Sequence, residues 1–392
     1  MLDIWPAFPI VITEEWYSVS GVDNIIAALE QRDRVCEITL DDIPCCIMDM
    51  FIPAMLRPFP SLERILLGAD DSTMSVVPDS FLGGSAPQLQ CLTFQAIPFP
   101  TLPTLLSSAR NLFDLHLSGI PRSGYISPEV LVTCLTAMPG LIFLRFQFDS
   151  PESLPNGERR RQHSLARSTL PALCELIFEG SDEYFEDLVS RIDTPVIRKL
   201  EITLFHRPFY EFSQLSQFIG RVEVFKLPAC ANISLLHSGA AEVSLSLGTG
   251  TDEPALLLFG IWCDELHLQL RYFVQVCNSP LLPFSNVESL IISSKMQHSQ
   301  WGPTAEEFLW LDLLRPFTAV KVLHIGKNSL TPVAYTLKTV VKERITEMFP
   351  TIRELSIGGH SSSGPVLRAI EEFATARGLF TRLDRPHRWI AG

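Results

Sequence analysis

The sequence has no pair of cysteines in C-x-x-C spacing. Its nine cysteines are scattered and odd in number, which speaks against a disulfide framework and a cysteine zinc site and for reduced thiols in a cytoplasmic or nuclear protein. Long apolar runs are missing too. The longest near the middle, "PALLLFGIWC" from Pro254 to Cys263, is about half of the roughly 20 residues a membrane helix requires. The N-terminus carries Asp3 where a signal peptide wants positive charge, and Pro6 and Pro9 interrupt its apolar stretch. A membrane span and secretion are therefore not expected. Positive charge is in deficit: 31 Lys plus Arg face 44 Asp plus Glu, a net −13. Nucleic acid and anionic membranes are not expected as partners. Catalytic signatures are absent as well. There is no H-E-x-x-H, no G-x-S-x-G and no G-x-x-x-x-G-K-[ST], so the sequence predicts no enzyme, no cofactor and no metal.

What is present is apolar residue in abundance, 46% of 392 residues against 19% charged, the profile of a chain with a large core. That content is periodic. "FPSLERILL" at Phe59 to Leu67 returns as "FPTIRELSI" at Phe349 to Ile357. Written as apolar-x-x-apolar-x-apolar, the phrase recurs at Val35, Leu62, Leu89, Leu112, Leu141, Leu173, Ile197, Val222, Ala240, Cys263, Val287, Val320 and Ile352. These starts are about 18 to 33 residues apart, mostly near the 20 to 29 band of leucine-rich repeats. Proline stands just before the template in "PSL", "PQL", "PGL", "PAL", "TPVI" and "FPTI". It fixes φ and removes a donor, so it belongs in the turn that feeds a strand. The last four template positions alternate as a half-buried strand does. Between templates, "DNIIAALEQRD", "TLPTLLSSAR" and "SPEVLVTCLTAM" have helical spacing, the last with a serine cap at Ser127 and proline at Pro128.

With its template copies, "WPAFPIVI" and "GVDNIIAALEQRDRVCEITL", the chain resembles leucine-rich-repeat proteins, and in character the fungal F-box proteins whose irregular repeats follow an F-box. The resemblance implies an α/β solenoid, a horseshoe with a curved parallel sheet on its concave face and helices or loops on its convex face. The expected organisation is an entry segment over 1–21, about thirteen repeats over 22–360 and a capping helix with tail over 361–392. Two departures stand out. The family's turn asparagine is replaced by Asp70, Ile97, Ile120 and Asp149 in the clearest copies, and no F-box precedes the first strand in this chain. The implied function is a protein-interaction module, the substrate-recognition part of an F-box-type ubiquitin ligase receptor; the alternative is a scaffold or adaptor with no ubiquitin role. A Skp-type adaptor is expected only if an F-box exists outside this chain.

Residues alternating with the buried template positions form two ladders on the expected binding face. The predicted partner site comprises Arg64, Leu66, Asp114, His116, Phe143, Arg145, Glu175, Ile177, Lys199 and Glu201, with Leu66, Phe143, Ile177 and Ile291 as apolar anchors. Acids outnumber bases along the ladders, which suits a protein partner with a basic segment and a chain that is itself monomeric. His116, His267 and His324 share a ladder position in non-adjacent repeats, too far apart to hold one ion. The Arg159 to Arg161 loop places Ser164 in a kinase-like spacing and marks it as a candidate regulatory site.

Overall fold

The computed structural model describes residues 8–15, 21–70, 76–154, 167–205, 213–225, 230–235, 240–247, 255–262, 266–278, 284–294, 305–343, 348–358 and 364–384. The chain divides into two compact units, Met1–Ile197 and Arg198–Gly392. The boundary falls inside the stretch that the repeat spacing presents as one solenoid.

The first unit contains β1 (Ile10–Glu15), α1 (Val22–Leu29), β2 (Val35–Ile43), α2 (Cys45–Phe51), β3 (Arg64–Ala69), β4 (Cys91–Gln95), α3 (Leu102–Ser108), β5 (Asp114–Ile120), α4 (Pro128–Thr136), β6 (Phe143–Phe148), β7 (Ser168–Thr169), β8 (Glu175–Gly180), α5 (Asp182–Arg191) and β9 (Ile192–Asp193). Strands β1 to β6 and β8 pair in chain order, all parallel, while β7 and β9 form a separate short pair. Strand β1 lies in the predicted entry segment. The template misses it because only Ile12 of "IVITEE" is buried among the side chains described there.

Two apolar rows run across the sheet in strict register. Ile38, Ile65, Leu92, Leu115, Leu144 and Leu176 make one, and Leu40, Leu67, Phe94, Leu117, Phe146 and Phe178 the other. All are buried, so each repeat covers the apolar face of the one beside it. Behind the later strands sits an aromatic stack. Tyr184 of α5 lies against Phe146 at 5.6 Å and Phe178 at 5.7 Å between ring centroids, and its hydroxyl donates to the Ile126 carbonyl at 2.8 Å. Gly180 keeps that stack tight: a Cβ there would come within 2.7 Å of Phe178 Cζ and 2.8 Å of Phe148 Cδ2.

The repeated proline has a structural explanation. In Phe59-Pro60-Ser61-Leu62 the Leu62 N–H donates to the Phe59 carbonyl at 3.2 Å, and the same closure recurs at Leu89, Leu141, Leu173, Ile197 and Ile352. Each proline thus holds the second position of a β-turn, where its fixed φ is already correct. The residue before the proline (Phe59, Ala86, Met138, Leu170, Thr194 or Phe349) is buried every time. The repeat therefore begins one core position earlier than the template shows. Past each turn the strand ends are tied by backbone bonds, Glu63 N–H to Cys36, Gln90 to Glu63, Phe113 to Gln90, Ile142 to Phe113 and Cys174 to Ile142.

The second unit contains β10 (Lys199–Phe205), α6 (Ser213–Arg221), β11 (Cys230–Leu235), β12 (Ala240–Leu247), β13 (Ala255–Trp262), α7 (Leu266–Asn278), β14 (Ser289–Ser294), α8 (Ala305–Leu314), β15 (Val322–Ile325), α9 (Leu330–Glu343), β16 (Glu354–Gly358), α10 (Gly364–Arg377) and β17 (Phe380–Asp384). Here the repeat expectation needs correction. The Val222 copy forms a 3-10 turn, Glu223–Phe225, and the Cys263 copy runs into α7, so neither starts a strand. Their ladder members Val224 and His267 are accordingly not on a sheet. The strands lie just outside, at β11 and at β13, whose "ALLLFGIW" is apolar throughout and hides its strand period. Strand β12, at the Ala240 copy, runs antiparallel to both β11 and β13. The resulting order is β10-β13-β12-β11-β14, with parallel pairing resuming at β10/β13 and β11/β14.

The Val287, Val320 and Ile352 copies give β14, β15 and β16, parallel and in register. Helix α10 covers the position expected of a cap, burying Val366, Ile370 and Phe373, yet the chain then adds β17 alongside β16. The segment after the helix is thus a strand as far as Asp384. Gly378 ends α10 at φ 63°, with Leu379 N–H donating to Ala374 and Gly378 N–H to Thr375, the Schellman pattern of a glycine-terminated helix.

Candidate functional site

Opposite the buried rows, the first unit presents side chains that are half-buried, because strands about 4.8 Å apart shade one another. One row is Glu37, Arg64, Cys91, Asp114, Phe143 and Glu175; the next is Thr39, Leu66, Thr93, His116, Arg145 and Ile177. These are the two ladders predicted from the template, and each member sits at its predicted register. The register is that of a parallel sheet built from stacked repeats.

The comparisons add little beyond this. No protein-family model matches the sequence, and no curated protein matches it. Among solved structures, the leucine-rich-repeat-containing protein LegL7 from Legionella pneumophila is similar, with 13% identity over 94% of this chain and 98% of that chain and a TM-score of 0.32. A likeness of that size carries no argument, so strand register and turn geometry carry the fold assignment.

The centre of the face is the neighbourhood of Asp114, His116, Phe143 and Arg145. Strand β5 places Asp114 and His116 two residues apart on one side, with His116 Nε2 2.8 Å from Asp114 Oδ1. The contact is electrostatic: no hydrogen-bond donor is aligned on that oxygen. The imidazole also stacks on Phe143 of β6, 4.3 Å between centroids at 27°, a flat plate of two rings. Arg145 stands beside His116 in register. Its Nε is buried with no hydrogen-bond partner.

Around this centre, Glu179 accepts from Gln147 Nε2 at 3.1 Å. The Cys91 thiol is held above its ordinary pKa, first by burial and then by the charge of Asp114, which disfavours its thiolate form. Arg64 is exposed and Leu66 half-buried at the β3 end of the two rows. Ile177 differs from expectation. It is 2% exposed, too buried to serve as an anchor without movement. In the second unit Lys199 and Glu201 share one side of β10, with Nζ 3.9 Å from Oε2, and in register they face Leu256 and Leu258 of β13, both half-buried. Ile291 of β14 is half-buried beside His324 of β15. Ser164 and Arg159 to Arg161 lie outside the described residues. Among the described residues there is no cluster of His, Cys, Asp or Glu that could hold a metal ion.

The ladder positions were readable from sequence; the His116–Phe143 stack and the unpaired Arg145 nitrogen were not. The stack joins neighbours on adjacent strands about 27 residues apart in a typical repeat, a relation that appears only once the register is fixed.

Proposed function

We propose that the chain is a protein-interaction module whose open sheet face in the first unit, centred on Asp114, His116, Phe143, Arg145 and Glu175, takes an extended segment of a partner with basic residues. The observation that carries this reading is the register. Charged and aromatic side chains that lie outside the buried rows are lined up in two rows across consecutive strands. Acids at Glu37, Asp41, Asp114, Glu175 and Glu179 favour a cationic segment, and the Phe143–His116 plate offers the flat apolar surface typical of an interface anchor.

Affinity capture from an extract of the native host, comparing the wild type with D114K/E175K, tests it. Proteins held by the wild type should be lost from the folded variant; equal recovery of the same proteins would overturn the reading.

The finer form of the proposal makes the module the substrate-recognition part of a Skp-cullin ubiquitin ligase. Its support is the resemblance to fungal F-box repeat proteins. Coimmunoprecipitation of the native gene product with the Skp adaptor is the decisive measurement. Failure to recover the adaptor assigns the chain to the scaffold class, acting without ubiquitin transfer.

A further inference from the structure

The open face is acidic in sum, yet its most unusual group is a cation. Arg145 makes no hydrogen bond and no ion pair among the described residues, and its Nε is shielded from water without an acceptor. A donor left this way keeps its desolvation cost uncompensated, and such groups in folded proteins call for a reason. The carboxylates nearest in register do not supply one. Asp114 is turned to His116, Glu179 takes the amide of Gln147, and Glu175, on the strand of Ile177, has an interaction of its own. The neighbours of Arg145 along its own row are His116 and Ile177, neither of which accepts from it.

We propose that Arg145 is the receptor for a carboxylate on the partner, an Asp or Glu side chain within the same extended segment, seated beside the Phe143–His116 plate. This rests on the reading of the face given above and refines it: the partner segment is not merely basic but carries one acid among its bases. A guanidinium binds a carboxylate through two parallel N–H donors, and a modest swing of its head brings Nε into that fork. The plate beside it excludes water from one side, which strengthens the pair. Extended residues advance about 3.3 Å each and strands lie about 4.8 Å apart. A base one or two positions from the acid therefore reaches the columns of Glu175 or Asp114.

The test is selection of a random-peptide phage library, with peptides joined to the coat through their C-termini so that no terminal carboxylate is presented. The full-length wild type, R145Q and D114N/E175Q are used in parallel. Wild-type selection should enrich Asp or Glu at one position severalfold over the unselected library, with Lys or Arg nearby. R145Q should return that acid to background while the basic preference stays, and D114N/E175Q should lose the basic preference. Acid enrichment that persists in R145Q overturns the assignment of Arg145 alone. Peptides captured with no dependence on any of the three side chains, or no capture above an albumin control, overturn the reading of the face and this inference with it. Thermal melting of R145M separates a binding role from a structural one: removing a donor that has no acceptor should leave the midpoint unchanged or higher, and a drop of several degrees would make Arg145 a structural residue.

Discussion

Asp182 shows how far a single position can depart from its ordinary chemistry. It occupies the first turn of α5 after the Ser181 cap, is 7% exposed, and has Oδ1 buried with no hydrogen-bond donor. Burial, and then the neighbouring Glu183 carboxylate, push its pKa up to about 7 from 3.8. A carboxyl with a raised folded pKa binds more protons folded than unfolded between those two values, so stability falls as pH rises through that window. Asp182→Asn should therefore be more stable than the wild type at pH 8 and should flatten the decline between pH 4 and 7. Chemical denaturation across that range reads both effects, and parallel curves for the two proteins would contradict the argument. Nothing in the sequence marks this residue, since an acid after a serine cap is an ordinary helix start.

For the elements, turns and helix ends were more legible than strand boundaries. Pro60 and its counterparts could be placed in turns from φ alone, and Gly378 as a helix terminator from its position after an apolar stripe. The burial of the residue before each proline was not legible, because Ala86 and Thr194 do not look like core. Strand β13 defeats pattern reading for a different reason: with apolar residues on both faces, "ALLLFGIW" shows no alternation. Two substitutions test the element-level account. At Gly378 a Cβ would meet nothing within 4 Å, so Gly378→Ala measures only the left-handed backbone and should cost about 1 kcal/mol. Leu144→Ala, in the middle of a fully buried row, should cost about 2–5 kcal/mol. Equilibrium unfolding gives both numbers, and a larger loss at Gly378 than at Leu144 would reverse their assigned roles.

Over the whole molecule, the charge of −13 acts on encounter more than on fold. Association with a basic peptide should be fast at low salt and slow markedly between about 20 and 500 mM NaCl, as the Debye length shrinks toward a few ångströms. Stopped-flow binding at several salt concentrations would show it, and a rate indifferent to salt would remove steering from the account. The overall class was legible because stacking imposes one spacing and one register on many copies, so errors at Val222 and Cys263 did not mislead the rest. The side-chain relations at Asp114, His116, Phe143 and Arg145 were not, because they join separate strands.

The reversed order of β11, β12 and β13 carries a kinetic consequence. Adjacent repeats need only a short loop closure to dock, so order can spread from one to the next like a zipper. Between β10 and β13 that continuity is broken: Phe205 waits for Trp262, and the intervening chain must first arrange β11 and β12. Refolding of the second unit should thus pause at one long-range step, slower than its neighbours. A hydrogen-exchange pulse during refolding would find amides of β14 to β16 protected before those joining β10 to β13.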